Sequence, residues 1–211
     1  MKKVIGIIVL LGVVGSAFYM LSNTNNEQNV EMYMAEIEAF RKENHEKFLK
    51  ESESPLEQED RAYFEGLKYF EPDPVFNVKA DLEWVGFKDV MTVKTSKGND
   101  RRYVKKAYAV FTLKGEEYRV ALLQDEFPIK GMENLLILAF TDETSGHETY
   151  GAGRYINLEV KGNQKQVDLD FNKAYNPYCA YNTNYDCVIP PQGNHLDIQV
   201  LAGEKTYKSH D

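Results

Sequence analysis

This chain lacks most of the signatures that announce a chemistry. Cysteine is scarce, with Cys179 and Cys187 the two in 211 residues, so nothing near the N-terminus can carry a lipid anchor. No Gly-x-Ser-x-Gly nucleophile elbow occurs. His147-Glu148 begins like a zinc-protease signature, but Gly151 stands where the second histidine belongs. Asp168-x-Asp170-x-Asn172 begins like a calcium loop, but Lys173 and Cys179 replace the glycine and the closing glutamate that the loop requires. With four histidines in the chain, His147 and His195 read as surface or hydrogen-bonded residues, and no metal or cofactor is expected. Basic charge is also short. The 25 Lys and Arg face 33 Asp and Glu, a net charge of −8, which disfavours nucleic acid and anionic lipid as partners. Neither an internal repeat nor a second block of composition divides the folded part.

What is present begins at the N-terminus. Lys2 and Lys3 precede an uncharged apolar run, Val4 to Leu21, and the chain turns polar at Ser22. Residues 1–22 therefore read as an export signal with two outcomes: cleavage after small residues near Gly15 and Ala17, or retention as a membrane anchor with everything after Leu21 outside. Both place the folded part outside the cytoplasm, in the periplasm or at the cell surface. Residues 23–74 read as a linker and helical preface. Tyr33, Ile37, Phe40, Phe48 and Leu49 recur at nearly helical spacing, which predicts an amphipathic helix. Ser54-Pro55-Leu56-Glu57 supplies a cap, a proline at the first helical position and an early acid, which predicts a second, short helix ending at Gly66.

After Pro74 the period switches to two, and residues 75–211 read as a β domain. Phe76, Val78, Ala80, Leu82 and Trp84 alternate with polar residues. Similar runs recur at Val90 to Thr95, Tyr103 to Leu113, Glu117 to Leu123 and Leu135 to Phe140. Lys114-Gly115 and Lys97-Gly98-Asn99-Asp100 supply turns between them. Ile156 to Val160, a turn at Gly162-Asn163 and Val167 to Phe171 read as the clearest hairpin, and Leu196, Ile198 and Val200 as a last strand. The expected fold is mainly β: an antiparallel β-sandwich or partly closed barrel preceded by one or two amphipathic helices.

The unusual residues crowd into Phe140 to Lys205, which holds six of the fourteen tyrosines, both cysteines and a cluster of Glu, Asp, Arg and Asn. Loops held by a rigid scaffold usually carry function. The pairing of the expected hairpin brings Asp170 toward Arg154 and Tyr155 at one sheet end. Arg154 is then a cation for a carboxylate or phosphate, with Glu148 and Asp170 as acceptors or proton carriers. The same pieces also suit a structural Arg–carboxylate network. Tyr150, Tyr155, Tyr175, Asn172 and Asn176 complete the candidate ligand site, since tyrosine offers a flat apolar face with a polar tip. Cys179 and Cys187, in an oxidising compartment, default to a disulfide of about 2–3 kcal/mol that pins the loop.

Three long motifs resemble a bacterial family of exported proteins catalogued as domain of unknown function 1684. They are Asp142-x-Thr144-Ser145-Gly146-x-Glu148-Thr149-Tyr150-Gly151-x-Gly153-Arg154-Tyr155, Asp170-Phe171-Asn172-x-Ala174-Tyr175-Asn176-Pro177-x-Cys179-Ala180, and Cys187-x-x-Pro190-Pro191-x-x-Asn194 followed by Ala202-Gly203-Glu204-Lys205. An early Arg61-x-x-Phe64-x-Gly66-Leu67 segment joins them. The resemblance implies no reaction. The residues lead to an extracytoplasmic protein that binds a small polar or anionic ligand at one end of the β domain. Two other classes stand beside it: a hydrolase or lyase using Glu148 or Asp170 as acid or base with Arg154 stabilising charge, and a structural envelope protein that binds another protein through its helices.

Overall fold

A computed structural model describes residues 27–52, 54–162 and 164–208. The expected export signal lies outside them, and no helix among the described residues is long and apolar enough to cross a membrane. The chain divides into two units, one reaching Arg41 and the other Lys42–Asp211. The sheet and every site group below lie in the second.

The predicted amphipathic helix forms as α1, over 27–49. Burial recurs along it at Ile37 and Phe48, while Met32 and Leu49 stay exposed, as a single apolar stripe demands. The expected second helix does not form. Its stretch is irregular apart from a 3-10 turn at Arg61–Tyr63. Leu56 is drawn into a cluster with Phe48, Ala180 and Tyr181, so tertiary burial overrides the local capping signal. Gly66 runs past the His45 ring with φ of 117°, and an added Cβ there would crowd that ring.

Seven strands follow: β1 Asn77–Lys94, β2 Asp100–Leu113, β3 Glu116–Asp125, β4 Leu135–Asp142, β5 Arg154–Glu159, β6 Gln166–Asp170 and β7 His195–Leu196. They form one sheet in the order β5-β4-β3-β2-β1-β6, with β7 added beside β4. The fold is therefore mainly antiparallel β, a partly closed barrel preceded by a helix. Two runs read separately in the sequence, Phe76 to Trp84 and Val90 to Thr95, are one long strand whose register shifts between Trp84 and Asp89. The β2–β3 connection is the expected two-residue turn. Lys114 takes φ of 50° and Gly115 of 93°, the pair of positive values that a tight hairpin needs.

The expected hairpin of 156–160 with 167–171 is corrected by the pairing. β5 lies antiparallel to β4, with Leu138 opposite Ile156, and β6 lies antiparallel to β1, with Val78 opposite Leu169. Trp84 Nε1 donates to the Gln164 carbonyl at 2.7 Å and Leu82 N to that of Lys165 at 2.7 Å, which commits the chain ahead of β6 to β1. The turn assigned to Gly162-Asn163 falls partly outside the described residues. β5 and β6 thus stand at opposite ends of the strand order. A reciprocal backbone pair between Tyr155 and Tyr175, 2.9 Å each way, joins β5 to the segment after β6 and draws the sheet toward closure. Inside, Ala80, Ala107 and Ala109 leave room for Phe111, Phe140 and Phe171, whose rings meet at 5.7 and 5.3 Å.

The expected last strand shrinks to two residues. β7 runs parallel to β4 because β3 and β4 pair directly only at Leu123 and Ile137. Asn194 fills the seam. Its Oδ1 accepts from Ala121 N at 2.7 Å, and its Nδ2 donates to the Ala121 and Ala139 carbonyls at 2.9 Å each. One buried side-chain amide thus replaces a missing stretch of backbone ladder.

Candidate functional site

Arg154 opens β5 and is fully buried. Its Nη2 bonds Asp142 Oδ2 at 2.8 Å and the Val200 carbonyl at 3.0 Å; its Nη1 bonds the carbonyls of Ala202 and, at 3.4 Å, Glu204. Asp142 Oδ1 accepts from Thr144 N at 2.8 Å, Thr144 Oγ1 at 2.6 Å and Val200 N at 3.3 Å. Burial pulls the guanidinium pKa down, opposed by Asp142 and Glu204. The cation is spent on tying β4 and β5 to the C-terminal segment. Gly153 makes this possible: at φ of 90° it lies so close to the Phe140 carbonyl and Pro190 that a Cβ would collide with both.

Two further knots use the other motif residues. Asp170 Oδ1 accepts from Asn172 N and Nδ2 at 3.0 Å each, and Asn172 bonds both backbone groups of Asp73, which anchors the entry to β1. Asn176 donates from N to Glu204 Oε2 and from Nδ2 to Oε1, each at 3.0 Å. Burial lifts the Glu204 carboxyl to about 8 against the pull of Asn176 and Arg154. Gly203, at φ of 76°, packs its Cα face against the Phe171 and Ala174 carbonyls.

The sequence-derived candidates therefore separate. Glu148 is exposed, and its carbonyl accepts from Thr206 N. Arg154 serves Asp142 rather than Glu148 or Asp170. Tyr155 and Tyr175 meet edge to face at 5.9 Å; the Tyr155 hydroxyl donates to the Val188 carbonyl and that of Tyr175 to Asn157 at 2.9 Å. Burial raises both phenols. Asp142 and Glu204 are the partners that residue-by-residue reading missed, although both stand inside the quoted motifs.

The cysteine loop forms a different cluster. Cys179 and Cys187 are free thiols in this structure, adjacent to each other, with Cys179 N donating to Cys187 Sγ at 3.2 Å and Tyr150 Oη 3.7 Å from Cys179 Sγ. Their mutual hydrogen bond pulls the Cys179 thiol down to about 6, with Tyr150 and Ser96 assisting, and raises Cys187. At the surface, Glu143, His195 and Asp197 present convergent donor atoms. The imidazole Nε2 lies 3.4 Å from each carboxylate and Nδ1 3.0 Å from Thr141 Oγ1 in this exposed cluster.

Beside the cysteine loop lies an open cleft of about 270 Å³, lined by Phe48, Leu49, Leu56 and Phe64 with Glu51, Gln58 and Arg61. Phe48 stacks on Phe64 at 5.7 Å and meets the Tyr181 ring edge to face at 4.7 Å. Arg61 brings a cation to this lining. Its Nε is buried without a hydrogen-bond partner, and its ionic partner, Glu51, stands 3.7 Å away on a side chain that is 92% exposed.

The profile of a family described as "Protein of unknown function (DUF1684)" matches residues 62–205, most of the chain. The chain belongs to the DUF1684 family. A search of curated proteins gave no match. Among solved structures, the solution NMR structure of an uncharacterized protein of Haloarcula marismortui is similar, with a TM-score of 0.68 at 32% identity, covering 87% of this chain and 99% of that one. The stretch matched to DUF1684 contains all three buried knots, Asn194 and both cysteines. It holds Phe64 of the cleft, whereas Phe48, Leu56 and Arg61 precede it.

Proposed function

We propose that this protein is an extracytoplasmic binding protein. It takes a small anionic ligand with an apolar part into the cleft between the end of α1 and the Arg61–Tyr63 turn. Phe48, Leu56 and Phe64 supply the apolar contact, and Arg61 supplies the charge. The observation that carries this reading is the buried, partnerless Nε of Arg61, since a buried donor left unmade costs about 1–3 kcal/mol and is a group awaiting an acceptor. Arg154 also leaves its Nε without a partner, but its Nη atoms already hold a carboxylate and backbone carbonyls, whereas the Arg61 guanidinium has only the loose contact to Glu51. The volume suits a metabolite rather than a peptide. Placement outside the cytoplasm rests on Lys2, Lys3 and the apolar run that follows them.

The test is titration calorimetry on the full-length protein in mild detergent, with benzoate, octanoate and phenyl phosphate as probes and their neutral alcohols as controls. Saturable binding of an acid and not its alcohol, lost in Arg61→Ala and retained in part by Arg61→Lys, is the expected result. Binding that survives Arg61→Ala, or no binding by any probe, overturns the reading.

A further inference from the structure

The two thiols have a geometry that neither the family nor the cleft explains. Cys179 sits in the 3-10 turn Tyr178–Ala180, nearly closed off from solvent. Cys187 is half-buried and is held from the other side. Its N donates to Ser96 Oγ at 3.1 Å and its carbonyl accepts from Ser96 N at 2.7 Å, so the turn between β1 and β2 fixes it in place. Next along, Thr95 bridges Val188 and Asp186 accepts from Lys97 N and Asn99 Nδ2. Cys179 N reaches Cys187 Sγ at 3.2 Å, and the Tyr150 hydroxyl faces the Cys179 sulfur at 3.7 Å. Cys187 is therefore the more exposed of the two residues, and Cys179 is buried beside a phenolic O–H.

We infer that Cys179 and Cys187 are a thiol–disulfide exchange site. In its oxidised form the pair accepts two electrons from a dithiol, entering at Cys187 and releasing Cys179. A substrate thiolate attacks the Cys187 sulfur. The S–S bond breaks, its electron pair goes to Cys179, and the Tyr150 O–H donates to the sulfur that now carries the charge. The second substrate thiolate then attacks its own sulfur in the mixed disulfide, expelling Cys187, which takes up the proton that this thiol gave up. The balance is one substrate dithiol oxidised to a disulfide and one protein disulfide reduced to the Cys187 thiol and the Cys179 thiolate, with the proton of the first substrate thiol released to solvent. A stabilised leaving thiolate departs faster and makes the pair a stronger oxidant. The lowered Cys179 thiol agrees with that role. The inference does not rest on the ligand cleft, and it departs from a permanent structural bridge in one respect: the bond must open in the folded protein.

The experiment equilibrates folded, full-length protein in glutathione redox buffers, then traps thiols and reads the intact mass. The expected result is one reversible couple that opens without denaturant. In Cys179→Ser, glutathione accumulates on Cys187, whereas Cys187→Ser gives little adduct on Cys179. Tyr150→Phe shifts the equilibrium about tenfold toward the disulfide, the loss of one hydrogen bond to a charged group. A disulfide that opens only on unfolding, thiols that never couple in the folded wild type, or adducts formed mainly on Cys179 would each overturn the assignment. An unshifted equilibrium in Tyr150→Phe would remove Tyr150 from it.

Discussion

Arg154 and Arg61 make an instructive pair. Arg154 is fully buried and lies inside the stretch matched to the family, whereas Arg61 is half-buried and stands just ahead of it. Arg154 has a carboxylate at 2.8 Å and carbonyls from the far end of the chain, while Arg61 has one loose contact at 3.7 Å. A buried cation whose partners are all internal is part of the architecture. A cation lacking such partners, beside stacked aromatic rings, is where an external acceptor fits. Polar density in the sequence points to Arg154 and passes over Arg61, which lies outside Phe140 to Lys205.

The contrast can be broken by mutation. Arg154→Ala strands Asp142 in the interior and should cost about 3–5 kcal/mol in urea unfolding. A loss comparable to a surface substitution would mean that the network is not a structural knot. Asn194→Ala leaves the Ala121 and Ala139 backbone groups unmatched across the seam, and about 2–3 kcal/mol should be lost. Amide exchange at Ala121 should quicken at the same time.

Glu204 sharpens the comparison through pH. Its folded pKa, about 8, lies above the ordinary 4.5, so the folded state keeps a proton that the unfolded chain releases. This contribution is complete below pH about 4.5 and is lost as pH rises toward about 8. Glu204→Gln should remove that part of the slope in unfolding free energy measured across this window. A wild-type curve that is flat there would show that the carboxyl ionises normally.

Arg61→Ala should have the smallest effect on stability, within about 0.5 kcal/mol, because few internal bonds are lost. If it destabilised as much as Arg154→Ala, the two arginines would be the same kind of residue and the proposed ligand site would lose its basis.

Alternation made the strands legible. Ala80, Leu82, Leu169 and Phe171 point inward as their spacing requires, and Lys114-Gly115 turns where expected. Pairing was less legible. Two apolar runs separated by a glycine turn look like a hairpin, yet Trp84 and Leu82 claim the chain ahead of the second run from 80 and 83 positions away. The short helix after Ser54 failed for the same kind of reason, since Leu56 is worth more packed on Phe48 and Tyr181 than in a helix facing water. Asp142 and Glu204 could be named as motif members but not as partners of Arg154 and Asn176. Nothing local ties a β5 cation to carbonyls 46 to 50 residues onward. Asn194 carried no periodic signal, being a single side chain that does a strand's bonding.

That seam has a consequence in time. Synthesis delivers Asn194 and the carbonyls of Val200, Ala202 and Glu204 only after β6, so a nascent chain that already contains β1 to β6 still has an open gap between β3 and β4, and Arg154 has Asp142 but not its backbone acceptors. The domain cannot latch shut until the segment from Asn194 to Glu204 leaves the ribosome. Such a delay keeps the chain threadable, and that segment acts as the closing clasp.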